Sequence, residues 1–294
     1  MSATTADAEL PDEAWPEEAA AEDVPGWRDV LRAENAKLRS IFRLVTLPAL
    51  GVIVVLLVGI SSANQQQRFV VSVPAHIPAA QAAQIRALQL SNAPDPLGII
   101  FGGVVLAAVL FGCFGAYCAC VEYSNGMIRS TLTAVPRRGR LFGAKLTAAM
   151  LAAAPAALAS ILVVFWIGDA LLARHLGISV GAFEGRVLLR LFGAVVCLLG
   201  ATALGFAIGM IMRSTAASIV ALVFVYLFLI ALLGAAVSHS VQEYLAPSLL
   251  GELLYLRDGG SGQPPLAAAY PLYLAWPLVF SAAAYLRFTR SDAG

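Results

Sequence analysis

The 294-residue chain is 60% hydrophobic and 13% charged, where soluble domains carry roughly 25% charged residues. A core of this size cannot hide so much apolar surface, which excludes an ordinary water-soluble fold and makes lipid the solvent for much of the chain. The net charge of +1 says little by itself, because acids and bases are segregated along the sequence.

Eight acids (Asp7, Glu9, Asp12, Glu13, Glu17, Glu18, Glu22 and Asp23) fall within residues 1–27 with no Lys or Arg among them. Residues 1–26 hold almost no large apolar side chains, so nothing offsets the entropy of ordering them, and a disordered acidic tail is expected. They also lack the basic-then-apolar pattern of a cleavable signal peptide. Residues 27–43 change character. Trp27, Leu31, Leu38 and Phe42 recur at helical spacing, while Arg28, Arg32, Lys37, Arg39 and Arg43 supply positive charge. This pattern predicts an amphipathic helix lying in the headgroup layer.

Six charge-free runs follow, at about 44–63, 97–121, 146–168, 191–212, 215–237 and 266–286. Each is near the ~20 residues that cross a ~30 Å hydrocarbon layer. The expected fold class is therefore all-α, a polytopic integral membrane protein with six transmembrane helices. Pro155, Pro271 and Pro277 fall inside runs and are tolerable there, because neighbouring groups in a membrane bundle re-satisfy the freed carbonyls. The fourth run carries Gly193, Cys197, Ala201, Gly205 and Gly209 at i+4 spacing. In lipid no hydrophobic force drives helices together, so small residues of this kind mark helix packing. The four cysteines, Cys113, Cys118, Cys120 and Cys197, sit inside apolar runs and read as small buried hydrophobes, not as a disulfide framework or a metal cage.

Orientation follows from Lys and Arg between the runs. With the N-terminus inside, thirteen fall on the cytoplasmic side and six outside, which predicts a cell-membrane protein with both termini cytoplasmic. Residues 64–96 form an external loop with a helix-compatible stretch near 81–90, and residues 241–256 suggest a short external or re-entrant helix.

The segment between the second and third runs reads E-Y-S-N-G-M-I-R-S-T-L-T-A-V-P-R-R-G-R over residues 122–140. As one helix it would align Glu122, Asn125, Arg129 and Thr133 on a polar stripe facing the cytosol. Tyr123, Met127, Ile128, Leu132 and Val135 would cover the apolar face, and Pro136 would end the helix. Such an element can be pushed by a partner and pass the push to the flanking spans.

This stretch, with Ala144-Lys145 a few residues on, resembles the coupling region of ABC-2-type transporter permeases of bacteria, particularly actinobacterial ones. The resemblance covers about two dozen residues; elsewhere only the architecture agrees. It implies a multi-pass ABC-2 transmembrane domain over 44–290 that pairs with a second permease copy, as a homodimer or with a sister chain, and with a separate ATP-binding cassette subunit. It also implies that Glu122, Tyr123, Gly126, Met127, Arg129, Leu132, Pro136, Arg137 and Arg138 couple the chain to that ATPase, and that its role is export. ATP and Mg would then belong to the partner, with no cofactor on this chain.

The chemistry absent from the sequence points the same way. Gly143-Ala144-Lys145-Leu146 lacks the upstream glycine and the Ser/Thr of a phosphate-cradling P-loop. No Asp, Glu, Lys or His lies within the six runs for a proton relay; Asp169 and Arg190 sit at their outer edges. His76, His175 and His239 all fall in outer segments, away from any intramembrane nucleophile, so an enzyme is not expected. The basic residues flank spans without interleaved aromatics, unlike a nucleic-acid surface. Phe111, Phe114, Tyr117, Phe224, Tyr226 and Phe228 offer aromatic surface on the second and fifth runs, where a substrate path could run. The competing reading is an ATP-independent channel, carrier or membrane scaffold.

Overall fold

The computed structural model describes residues 26–40, 42–71, 77–78, 80–81, 83–85, 101–135, 137–176, 185–228, 249, 253 and 266–290. The acidic segment 1–25, Pro136, most of the two external stretches and the end of the fifth run lie outside the described residues.

The described chain is helical. α1 spans Trp27–Ser40, α2 Phe42–Val71 and α3 Val104–Ser124, the last entered through a 3₁₀ turn at Phe101–Gly103. α4 is the short Ile128–Ala134, α5 the long Arg138–Leu176 and α6 Gly185–Met212. α7, Thr215–Val223, continues into a π-type turn at Phe224–Phe228, and α8 is Leu266–Arg290.

Among the described residues four helices are long and apolar enough to cross a membrane: Phe101–Ser124, Arg138–Leu171, Val187–Met212 and Ala268–Arg290. They overlap the second, third, fourth and sixth runs. The first and fifth runs are represented by shorter apolar helices, Thr46–Ser61 and Thr215–Leu227. Trp166, Phe192, Val220 and Leu278 point outward and exposed, as suits a surface whose solvent is hydrocarbon.

Helix ends depart from the apolar runs for physical reasons. α5 begins at Arg138, several residues before its apolar run, because Arg and Lys are good helix formers and carry the helix beyond the lipid. α2 likewise continues to Val71, into the segment expected to be loop. α6 ends where Arg213 takes a left-handed φ of 54°. Ser214 then caps α7, accepting from the Ala217 N–H at 3.5 Å.

The central contact is α3 against α6, and glycines make it possible. A Cβ on Gly205 would run into the Gly112 carbonyl, and one on Gly115 into the Thr202 carbonyl. The i+4 ridge on α6 does not face one neighbour throughout. At 3.6 residues per turn each i+4 step advances about 40°, so four steps carry the ridge roughly 160° around the helix. Its N-terminal end accordingly meets α8: Gly193 leaves room for the Tyr270 hydroxyl, and the Cys197 carbonyl accepts from Tyr273 at 2.7 Å. Its C-terminal end meets α3, where the Ala201 carbonyl lies beside Gly112 and Gly209 sits against Ala116. α2 packs against both α3 and α5, α5 also packs against α6, and α1 lies along the start of α5. All four cysteines are buried and none forms a disulfide.

Candidate functional site

The segment 122–140 is two elements, not one helix. α3 ends at Ser124, the turn Asn125–Met127 follows, and only Ile128–Ala134 is helical beyond it. The break is at Gly126, whose φ of +68° is the left-handed conformation that glycine adopts without steric cost. The stripe expected to join Glu122, Asn125, Arg129 and Thr133 is therefore divided, with Glu122 on α3 and Thr133 on α4.

The two halves have opposite environments. Gly126, Met127 and Thr133 are exposed, whereas Glu122 is only 2% exposed. The expectation that Glu122 faces the cytosol is corrected by this burial. Leu132 and Ile128 are half-buried and pack against the core, and Val135 is buried. Ser130 and Thr131 donate their hydroxyls back to the Met127 carbonyl, which also accepts from the Thr131 N–H. Arg129 lies in α4. Arg137 is exposed, and Arg138 donates to the Phe288 carbonyl at 3.5 Å, tying the start of α5 to the end of α8. Tyr123 is half-buried, with the Arg213 guanidinium 5.6 Å from its ring centre. That contact brings the α6–α7 turn to the same end of the bundle as the α3–α4 turn.

Glu122 sits in a set of four charges. Lys145 Nζ on α5 lies 2.7 Å from Glu122 Oε1 and 3.1 Å from Glu34 Oε2 on α1. Lys37, one turn along α1, bonds the same Glu122 oxygen and stands 3.6 Å from Glu34. Two carboxylates and two ammonium groups cancel, which is the condition under which burying them is tolerable. Glu122 Oε2 is buried with no hydrogen-bond partner among the described residues. Burial opposes the charged form of Lys37, but hydrogen bonding and attraction from Glu122 and Glu34 outweigh it, and its pKa is raised above 10.5.

Glu34 was invisible to sequence reading. Val30, Glu34 and Leu38 of α1 are buried, so of the expected apolar stripe Leu38 turns inward whereas Trp27 is exposed. The available signal was the i+4 spacing of Val30, Glu34 and Leu38, which puts an acid between two apolar residues on one face. Trp27 instead lies over Gly143, where a Cβ would come within 2.9 Å of its ring. Between α1 and α4 a cavity of about 410 Å³ is lined by residues including Glu34, Lys37, Ser130 and Thr131.

Other candidate positions are distributed through the bundle. Phe111, Phe114 and Tyr226 are buried, Tyr117 is half-buried and Phe224 is exposed; the Phe228 side chain lies outside the described ones. Arg190, expected at an outer edge, is buried within the first turns of α6. Among the described residues no group of three His, Cys, Asp or Glu side chains is placed to hold a metal ion. A scan against protein-family models finds no match, and no curated protein matches the chain.

Proposed function

We propose that the chain is the permease subunit of an ABC-2-type exporter, driven by a separate ATP-binding cassette subunit. In this reading the two shorter apolar helices complete six spans, both termini face the cytoplasm, and α1 lies in the inner headgroup layer. A second permease copy supplies the other half of the substrate path. The observation that carries the reading is the junction at Asn125–Met127. It hangs a short amphipathic helix with an exposed edge between two span-length helices. The charge cluster gives that junction rigidity: α3, α5 and α1 are pinned together just above it, so a push on α4 moves three helices and not one.

The division of labour follows from burial. Met127 and Thr133 are exposed and form the contact surface for the motor, whereas Glu122 transmits force and does not touch the partner. Met127→Asp and Thr133→Arg therefore abolish co-purification of an ATP-binding subunit while leaving the melting temperature of the chain unchanged. If the purified chain moves substrate without ATP and keeps no ATPase partner, the reading is wrong.

A further inference from the structure

A cleft of about 560 Å³ opens on the side of the bundle where α1, α2, α3 and α5 meet, within the roughly 300–1,000 Å³ range of ligand pockets. Its wall includes Asn35 and Leu38 of α1, Pro48 of α2, Phe114 of α3, and Leu151 and Pro155 of α5. Among the described residues that line it, Asn35 alone has a polar side chain. Such a wall does not hold water well. Leu151 and Ala49 are exposed at its margin, on a surface bathed by hydrocarbon. Pro155 has no N–H, so the Leu151 carbonyl lacks its i+4 donor.

The polar end of the cleft is charged by register. Arg28 and Arg32 precede Asn35 by seven and three residues, which puts all three on one stripe of α1. Both arginines are exposed; Arg32 has only Asp29 at 3.8 Å as an ion-pair partner among the described residues. An apolar trough that ends in a cationic stripe is complementary to a molecule with a hydrocarbon tail and an anionic head. We infer that the cleft binds an anionic phospholipid of the inner leaflet, with an acyl chain against Phe114 and the prolines and its phosphate at the Arg28–Arg32–Asn35 edge. The inference rests on the proposed orientation, which brings α1 to that leaflet.

The test uses the full chain in nanodiscs containing equal amounts of phosphatidylglycerol and phosphatidylcholine, with retained lipids counted by native mass spectrometry. Preferential retention of phosphatidylglycerol is expected. R28Q/R32Q lowers that preference at least about tenfold, since each basic residue near an anionic headgroup contributes appreciably. A152F, which fills the cleft, removes retention of both lipids at this site. Equal retention of the two lipids, or a preference for phosphatidylglycerol that survives R28Q/R32Q, overturns the inference. Orientation is read separately, by labelling S130C with a membrane-impermeant maleimide in intact cells and in inverted vesicles. Labelling from inside together with indifference to headgroup sinks the lipid site and leaves the exporter reading standing.

Discussion

Glu122 and Lys145 face each other at 2.7 Å across the junction of α3 and α5, both almost wholly buried. Each has further partners on α1, so the pair ties three helices whose order in the sequence is not adjacent. Removing one member of a buried pair leaves the other charge uncompensated, at a cost of about 3–5 kcal/mol, whereas removing both is often nearly neutral. E122L and K145M should each be strongly destabilising in chemical denaturation. The double variant E122L/K145M leaves Glu34 and Lys37 to pair at 3.6 Å and should recover most of the loss. Additive losses would show that the four groups do not act as one neutral cluster.

Gly126 presents a different kind of constraint. Its φ is +68°, yet a Cβ there would meet nothing within 4 Å. The cost of G126A is therefore backbone strain alone, about 1–2 kcal/mol. G126N should cost less, since Asn visits the left-handed region more readily than Ala. Equal stability of wild type, G126A and G126N would mean that the turn does not hold this conformation in the protein.

Run length and charge were enough to expect helices where the four long apolar ones stand, because crossing lipid imposes a length that composition alone reveals. The ends were less legible. Arg138, Arg140 and Lys145 read as loop because they are charged, although nothing in a basic side chain stops a helix. The cluster was legible only in pieces. Glu122 looked solvent-facing because an isolated carboxylate is costly to bury, and its partners Lys37 and Lys145 are remote in sequence. Glu34 carried no local signal strong enough to stand out. Tertiary pairing decided burial, and a single chain read residue by residue does not display it.

The α3–α6 contact should be the least forgiving surface in the bundle. At Gly205 and Gly115 an added methyl meets backbone on the facing helix, and a carbonyl cannot rotate aside as a side chain can. G205A and G115A should each cost at the top of the ~1–3 kcal/mol range for overpacking, or beyond it. G143A, where the neighbour is the Trp27 ring at 2.9 Å, should cost clearly less because that exposed side chain can turn aside. Folded yield after detergent extraction and thermal unfolding of the three variants would rank them; a ranking with G143A worst contradicts the packing described.

The alkaline response of α1 follows from Lys37. Its pKa is raised above the ordinary 10.5, because hydrogen bonding and attraction from Glu122 and Glu34 outweigh the burial that opposes its charge. A group whose folded pKa exceeds its unfolded value contributes stability that is fully present below the unfolded pKa. That contribution declines above pH 10.5 and is gone once the folded pKa is passed. Neutral and mildly alkaline pH should thus leave the attachment of α1 to α3 and α5 unchanged as far as this group is concerned, with loosening only above about pH 10.5. Trp27 reports on the attachment because its ring lies against Gly143, so its fluorescence can be followed from pH 8 to 11.5 in a variant without the other three tryptophans. K37R, which stays charged throughout, should postpone the change, and K37M should lose the Lys37 contribution at every pH. An unaltered midpoint in K37R would assign the transition to another group.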